Sequence, residues 1–554
     1  MSDARACFLF SMTLHPTPTA QTPAEQRLLA ECTEPARIMF GEGSVPEHQS
    51  DDNFINANFL RDLLLSEAGL GAKGLRIRGA WISGKLDLQG ARLNCDLSFT
   101  QCHFTDLLEL VNARMRGLIF SGCNLLGLSA DNVVLDGALF IRAGSHMSGE
   151  MSLSGAHIKG DVQLVDCSIL SETQDAIFAP SMTVDGSLYL GNYPYSGEDT
   201  SLTCKGALFF LSLATKHDVF VTNVATSVQD DFGAGGIFQA TEEHGRDIAL
   251  SFARARIEEL LYFKDNQIGR GIVNLSGARC ARLRDEPEGP GASYPIRLDG
   301  LTYNGFSQHT DTSVRNRLAW LERRPEDMGF TAQTYEQLAR VLLLNGQRAD
   351  ARSVLMRKEH MLRAANRRAI FARGGLPLRW LAHCIADGVM GVAVGYGYRP
   401  ARALFFAAAL IIGLGAFFDQ AWRTGDMTPN AAPILISADW ISATETHADN
   451  PAAFWSSSTE AGKDWETFNG YAYAADLVIP IVSLGQETAW APSTSRSPLG
   501  RIGWWLRWFA KALGWIITAL GAAAVTGAVR QDLLRTALLL PVRNPDRFCL
   551  CRNI

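Results

Sequence analysis

Residues Leu86–Cys123 read LDLQGARLNCDLSFTQCHFTDLLELVNARMRGLIFSGC, and this stretch decides the fold. It holds four copies of one pattern: an apolar residue, any residue, an apolar residue, two further residues and a small residue. The small residues of these copies and of the one before them are Ala80, Ala91, Cys102, Ala113 and Cys123. Neighbouring members of this series are eleven positions apart, or ten at the last step, and the pattern returns over 151–156 and 162–167 and, more weakly, near Leu188 and Leu275.

Short alternating strands at a fixed spacing, broken by Gly or Asn, are typical of a solenoid of stacked parallel β turns. One unit cannot bury its apolar face alone, whereas stacked neighbours form a continuous core. Helical patterns of roughly 10–15 residues, which an α/β enzyme places between its strands, are absent from about 75–170. The repeat therefore predicts a right-handed parallel β-helix over 71–310, after an N-terminal region with short helices over 1–70.

Cysteine usage and charge narrow the possible functions. The eleven cysteines include no CxxC pair, so neither a disulfide framework nor a zinc ribbon is indicated, and we expect no metal and no cofactor. We expect Cys102, Cys123, Cys167 and Cys280 to pack inside the β-helix as small apolar residues. The N-terminus lacks a secretory signal pattern, and the net charge of -6 does not point to nucleic acid. These features favour a cytosolic location for the large N-terminal part.

The repeat resembles the rungs of pentapeptide-repeat and related β-helix proteins of bacteria. The stretch FTAQTYEQLARVLLLNGQRADARSVLMRKE, Phe330–Glu359, is similar to a segment that follows such rungs in bacterial membrane proteins. Proteins of this layout often carry an oxidoreductase label, but this chain has no strand–GxGxxG–helix unit. We therefore expect no dinucleotide-dependent enzyme.

After the repeat, the apolar period changes to that of a helix. Two helices are predicted, one from about Thr334 and one over about 349–368, separated by Asn345–Gln347 within a helical neck spanning 311–390. The second helix is rich in cations: Arg352, Arg357, Lys358, Arg363, Arg367 and Arg368. They form either a solvated face near a membrane or a surface for anionic lipid headgroups or an anionic ligand.

The last part of the chain, 391–554, is predicted to be a two-span membrane domain. A bilayer crossing needs about 20 apolar residues, and 401–422 and 512–529 meet that length. Basic residues precede the first span and follow the second, while the loop 423–500 holds nine acidic and three basic residues. By the positive-inside rule, both termini are expected in the cytoplasm and the acidic loop outside, with the protein in the bacterial inner membrane.

The four letters VGYG at 394–397 match a potassium-channel filter, but they precede the first span and so do not lie where a filter would. The better pore candidate is the segment 471–490, whose apolar part is too short to cross and could re-enter the membrane. Its pore-lining candidates are Asp476, Ser483, Gly485, Gln486 and Glu487. Such groups form polar rings in channels once subunits assemble. The alternative is a folded external loop with an apolar core.

Three functions of different classes follow. The first is an oligomeric cation channel, expected to be a tetramer, which the cytosolic β-helix controls. Its layout resembles bacterial antiphage effectors of the Hailong type, which implies an oligonucleotide ligand, or the enzyme that makes it, as a partner. The candidate anion-binding residues are Arg254, Arg256, Arg279, Arg282 and Arg284, or these are merely outward positions on the rungs.

The second function is a β-helix tethered to the bilayer that binds a protein and conducts nothing. The third is an enzyme acting on polysaccharides through paired carboxylates. The rung carboxylates Asp87, Asp96, Glu109 and Asp136 are scattered along the sequence, which makes the enzyme the least favoured of the three.

Overall fold

The computed structural model describes residues 18–34, 36–66, 70–71, 73–227, 248–286, 294–325, 328–372, 380–381, 384, 388 and 401–525. The chain divides into two compact units, Met1–Val354 and Leu355–Ile554. The first unit confirms the predicted parallel β-solenoid, which has about ten turns. Its right-handed sense stays a prediction.

The first half of the solenoid begins with helix α1 (Pro23–Glu31) and includes helix α2 (Ala57–Leu65). Its strands are β1 (Ile38–Met39), β2 (Phe54–Asn56), β3 (Leu75–Arg78), β4 (Trp81–Ser83), β5 (Leu86–Asp87), β6 (Asp96–Thr100), β7 (His103–Phe104), β8 (Leu108–Glu109), β9 (Arg114–Met115), β10 (Gly117–Ser121), β11 (Asn124–Leu125), β12 (Leu128–Ser129), β13 (Val134–Leu135), β14 (Leu139–Arg142), β15 (Ser145–Met147) and β16 (Met151–Ser152).

The second half continues the parallel pairing among the described residues. Its strands are β17 (His157–Ile158), β18 (Val162–Val165), β19 (Cys167–Phe178), β20 (Thr183–Val184), β21 (Leu188–Gly191), β22 (Leu202–Phe209), β23 (Ala214–Thr215), β24 (Val219–Thr222), β25 (Val224–Ser227), β26 (Ile248–Ser251), β27 (Arg256–Lys264), β28 (Gln267–Ile268), β29 (Ile272–Asn274), β30 (Arg279–Arg284), β31 (Ile296–Arg297) and β32 (Thr302–Phe306). Helices α3 (Val314–Glu322), α4 (Ala332–Leu344) and α5 (Arg348–Ala372) follow.

Each turn of the solenoid holds two copies of the sequence pattern. Leu75 pairs in parallel with Leu97, and Leu97 pairs with Leu118, so one turn runs over 75–96 and the next over 97–117. The strands form two parallel sheets, each 16-stranded. Long strands belong to two ladders each: β27 pairs with β23 and, further along, with β24. Two sheets with two ladders each give a turn four faces.

The corners explain why glycine, or in two copies an amide residue, precedes each small residue. Gly79 and Gly90 have φ angles of +75° and +69°, and Gln101 and Asn112 take the same left-handed conformation at +51° and +57°. The next residue in each case turns inward, and all five small residues named above are buried. Gly and Asn reach positive φ at low cost, and a small side chain fits the inside of a tight corner. The predicted core positions of the cysteines are confirmed, since all four are buried.

The C-terminal end of the solenoid is closed by a buried ion pair. Arg317 on α3 is fully buried, and its guanidinium lies 2.7 and 2.9 Å from the two carboxylate oxygens of Asp285. Its Nε also donates to the carbonyl oxygen of Asp311 at 2.6 Å, and the group lies over the ring of Phe306 at 4.4 Å from the centroid. The arginine thereby ties α3 to the last turns, because a buried charge requires such partners.

Replacing Arg317 by alanine leaves Asp285 as a buried, uncompensated charge. We expect Arg317→Ala to lower the free energy of unfolding of the solenoid by about 3–5 kcal/mol. The check is denaturant unfolding of the full chain followed by its β-sheet circular dichroism signal. Arg315→Ala on the same helix is the matched control, because Arg315 is exposed. An equal loss in both variants would contradict this role for Arg317.

The second unit is helical and is connected through α5. Its helices are α6 (Ala401–Arg423), α7 (Ala432–Leu435), α8 (Ala438–Thr446), α9 (Pro451–Trp455), α10 (Gly470–Val478), α11 (Gln486–Ala489) and α12 (Pro498–Val525). Strands β33 (Met427–Pro429) and β34 (Trp490–Pro492) pair antiparallel and join the two ends of the segment between α6 and α12. That segment therefore folds back on itself and forms an apolar core with α6 and α12, which includes Phe418, Trp440 and Trp490.

Candidate functional site

Of the described residues, one helix, α6, is long and apolar enough to cross a membrane, where the sequence predicted two. Only the first predicted span, 401–422, is supported in this way. The second, 512–529, extends beyond Val525, the last described residue, and its described part lies in α12. The VGYG letters also lie outside the described residues.

Helices α6 and α12 pack against each other in antiparallel directions. Near one end, a Cβ added to Gly503 would lie 3.4 Å from the ring of Phe417, and near the other end a Cβ added to Gly521 would lie 3.7 Å from Cβ of Ala403. Residues 503–521 of α12 therefore run alongside residues 417–403 of α6. The two helices meet through small residues, which allow close approach in lipid.

The short helix α10 lies between these two helices. A Cβ added to its first residue, Gly470, would lie 2.7 Å from the carbonyl oxygen of Gly415 on α6. At its other end, the carbonyl oxygen of Val478 occupies the space that a Cβ on Gly514 of α12 would need. Gly514 lies between Gly503 and Gly521, so α10 ends near the middle of the paired helices. At a rise of 1.5 Å per residue, α10 is about 13 Å long, far less than a bilayer crossing.

After α10 the chain turns through 479–485 and exposes an apolar tip. Ile481 is 80% exposed, and Val482, Ser483 and Leu484 are also exposed. The turn ends at Gly485, whose φ of +80° favours glycine. Two of the five pore candidates, Ser483 and Gly485, therefore lie in or beside this tip, together with apolar neighbours that the sequence analysis did not single out.

Asp476, a third candidate, lies behind the turn. Its side chain is buried, and its carboxylate accepts hydrogen bonds from the backbone N–H groups of Leu484 and of Glu487, the latter at 3.1 Å. A carboxylate with two such donors fixes the turn in place.

Gln486 is also buried and connects the turn to the residues that precede α10. It accepts from the backbone N–H of Asn469 at 2.9 Å and donates to the carbonyl oxygen of Thr467 at 2.9 Å. Asn469 itself caps α10 by accepting from the N–H groups of its first turn. The side chain of Gln486 thus holds the start of α10 beside the start of α11.

Glu487 lies between the turn and α12. One of its carboxylate oxygens lies 3.0 Å from Arg507 and also contacts the ammonium of Lys511. These two cations are four positions apart and so lie on the same face of α12. The contact of Glu487 with α12 was not predicted from the sequence, where its only local signal is the i, i+4 pair of cations in a mostly apolar helix.

The five arginine candidates lie together in the first unit. In the parallel pairing of β27 with β30, Arg256 is opposite Arg279, and Arg282 and Arg284 follow opposite Leu260 and Tyr262. Arg254 precedes β27 at a corner with φ of +57°. Adjacent strands lie about 4.8 Å apart, so these cations are concentrated on two turns.

The surroundings of these arginines differ from those of the neck cations. Arg254, Arg256, Arg279 and Arg282 are exposed, and within the described ranges none of the five forms an ion pair. Arg284 lies over the ring of Tyr262 at 4.5 Å from its centroid. In the neck, by contrast, Lys358 is buried beside Glu359 at 3.4 Å, so the cations of α5 are not all on a solvated face.

No protein-family model, no curated protein and no solved structure matches this chain. In the part of the chain that the structure describes, no group of three or more His, Cys, Asp or Glu side chains could hold a metal ion.

A side chain on Gly514 would push α10 away from α12. We expect Gly514→Val to lower the melting temperature of the detergent-solubilised full chain by at least about 5 °C, because the backbone of Val478 leaves no room for a Cβ. Gly413→Val on α6 is the matched control, because a Cβ there has open space around it. Equal melting temperatures for the two variants would contradict the close packing of α10 on α12.

Proposed function

We propose that this chain is the subunit of an oligomeric membrane protein that conducts cations past the 479–485 turn under the control of its cytosolic β-solenoid. One observation carries the proposal: α10 enters between α6 and α12, ends near their middle, and is followed by a turn that leads the chain back. A span, a short helix and a second helix in this order are the minimal layout of a tetrameric cation channel.

The surfaces of the second unit support a place in lipid. On α6, Leu404, Phe405 and Ile412 are more than 60% exposed, and α6 as a whole is apolar. Exposing such a helix to water would cost roughly 25 cal/mol of free energy for each Å² of its apolar surface. If α6 crosses the bilayer, backbone that is neither helix nor sheet is tolerated beside it only where protein buries it or water lines it. The 479–485 turn then lies against other copies of the chain or against a water-filled path.

The charge of the turn favours cations. The C-terminal end of α10 points at the turn and carries the negative end of the helix dipole, equivalent to roughly half an elementary charge. The segment 423–500 contributes nine acidic residues against three basic ones, which would concentrate cations at an entrance. Two membrane helices cannot enclose a path alone, so we propose a symmetric oligomer, with four copies as the expected number.

The control signal in this proposal is an anion that binds to the arginines on β27 and β30. Their guanidinium groups, which form no ion pair within the described ranges, suit phosphate oxygens. An oligonucleotide of an antiphage signalling system is the candidate that the resemblance suggests. The proposed location is the bacterial inner membrane with both termini in the cytoplasm, supported by the basic residues that flank the apolar segments.

A second candidate function is a membrane-tethered solenoid that conducts nothing. One observation favours it: Asp476, Gln486 and Glu487, three of the five pore candidates, direct their polar groups at partners in the same chain. Side chains used in this way do not line a path, and 471–490 would then be an external loop with its own core.

Ion flux through the purified full chain in liposomes separates the two functions. We expect the wild type to pass K⁺ or Na⁺ under a membrane potential and in the presence of short oligonucleotides, and Gly485→Ala to change that flux several-fold. Alanine at a φ of +80° costs roughly 1–2 kcal/mol and so reshapes the turn. Thr459→Ala, at an exposed position between α9 and α10, is the control and should leave flux unchanged. A wild type that stays silent under all these conditions would favour the tether.

A further inference from the structure

The part of α12 that runs beside α6 begins well before the uncharged stretch that the sequence suggested as the second span. The contacts of Gly503 with Phe417 and of Gly521 with Ala403 place 503–521, and not 512–529, at the depth of α6. The outward face of this part is apolar and exposed over its whole length: Ile502, Trp505, Trp508, Phe509, Trp515 and Ile516. If α6 crosses a bilayer, this face of α12 lies in the hydrocarbon as well.

This position brings two cations to membrane depth. Arg507 and Lys511 lie inside the stretch that runs beside α6, and their side chains are 19% and 37% exposed. An isolated charge near the bilayer centre is expensive, and such residues are found paired and facing the protein interior. Both cations contact the same carboxylate, that of Glu487, whose side chain is 19% exposed.

A second carboxylate balances the charge. Asp476 is buried and accepts a hydrogen bond from the backbone N–H of Glu487 at 3.1 Å, so a second carboxylate adjoins the residue that meets α12. Two acids and two bases give this cluster no net formal charge. An uncharged total is what a low-dielectric surrounding requires, because each unpaired ion would cost several kcal/mol.

We infer that α12 crosses the bilayer from about Ile502, and that Glu487 is a positioning residue that neutralises Arg507 and Lys511 at membrane depth and ties the 479–485 turn to α12. The inference rests on the proposal that α6 spans a membrane, but it does not require that ions pass. The turn is then held from two sides, by Asp476 through the backbone and by Glu487 through α12. Loss of Glu487 leaves two cations without a partner in the hydrocarbon.

The depth of α12 can be measured with a membrane-impermeant maleimide on the full chain in sealed liposomes. Cys7, Cys95, Cys384, Cys549 and Cys551 are first replaced by serine, so that the remaining native thiols are the buried ones. Phe509→Cys places a thiol at a side chain that is 60% exposed but, by this inference, surrounded by lipid. We expect less than a tenth of the labelling seen for Thr494→Cys, which lies just outside α12 at an exposed position. Comparable labelling of the two thiols would overturn the inference, because it would place residue 509 in water.

The role of Glu487 can be measured through the salt dependence of stability. We expect Glu487→Gln to lower the melting temperature of the full chain in lipid nanodiscs by at least about 5 °C, to the same extent at 0.1 M and 1 M NaCl. The reversed pair Glu487→Arg with Arg507→Glu should recover at least half of the loss. Over this range the Debye length falls from about 10 Å to about 3 Å, so an ion pair in water would be screened.

A loss that shrinks at 1 M salt, or a reversed pair that recovers nothing, would overturn the role of Glu487. Neither measurement uses ion flux, so failure of the conduction proposal is seen separately: a protected thiol at position 509 in a protein that passes no ions leaves this inference standing.

Discussion

The second unit depends on the close approach of peptide backbones at glycine positions. Gly415 and Gly470 let α10 meet α6, and Gly514 lets the end of α10 meet α12. With larger side chains at these positions, the short helix would not fit between two longer ones. The turn that follows α10, its exposed apolar tip and its polar anchors all owe their position to these contacts. Small residues in this unit thus allow the close approach of helices that is typical of packing in lipid.

The solenoid follows a different constraint, in which each turn repeats the backbone conformation of the one before. A residue at positive φ precedes each inward small residue at the corners, and apolar residues alternate along the faces. Stacking pairs backbone N–H and C=O groups of one turn with those of the next. Helices α1 and α2 are at the first end, where the buried Glu25 accepts the backbone N–H of Asn56. Arg317 closes the other end through Asp285.

The solenoid could be predicted from the sequence because its constraints are local and return with every copy of the repeat. A single copy such as LSFTQC already predicts the alternating strand, the corner that follows it and the small residue that points inward. The helical break at 345–347 was predictable for a similar reason, because Gly346 has a φ of +79° and ends α4. The adjacency of Arg256 and Arg279 could also have been predicted, because their separation in the sequence is close to the length of one turn.

The candidate site was less predictable, because its contacts join residues far apart in the sequence. The segment 471–490 was singled out by its length and its polar end, yet nothing local shows that Asp476 turns back onto the N–H of Glu487. Likewise, an uncharged run suggested 512–529 as a span, since Arg507 and Lys511 look incompatible with lipid. Their partner is Glu487, which precedes the whole of α12 in the sequence, and only the fold brings the three together.

The central claim is that the 479–485 turns of several copies meet at one symmetry axis inside the membrane. The most direct measurement is cross-linking of Val482→Cys in membranes with a short bis-maleimide, with Thr459→Cys, between α9 and α10, as the control. Both variants carry serine in place of Cys7, Cys95, Cys384, Cys549 and Cys551, so that the remaining native thiols are the buried ones. We expect covalent dimers and higher species for Val482→Cys, and chains of single mass for Thr459→Cys. Single-mass chains for Val482→Cys, in protein shown to be oligomeric, would contradict it.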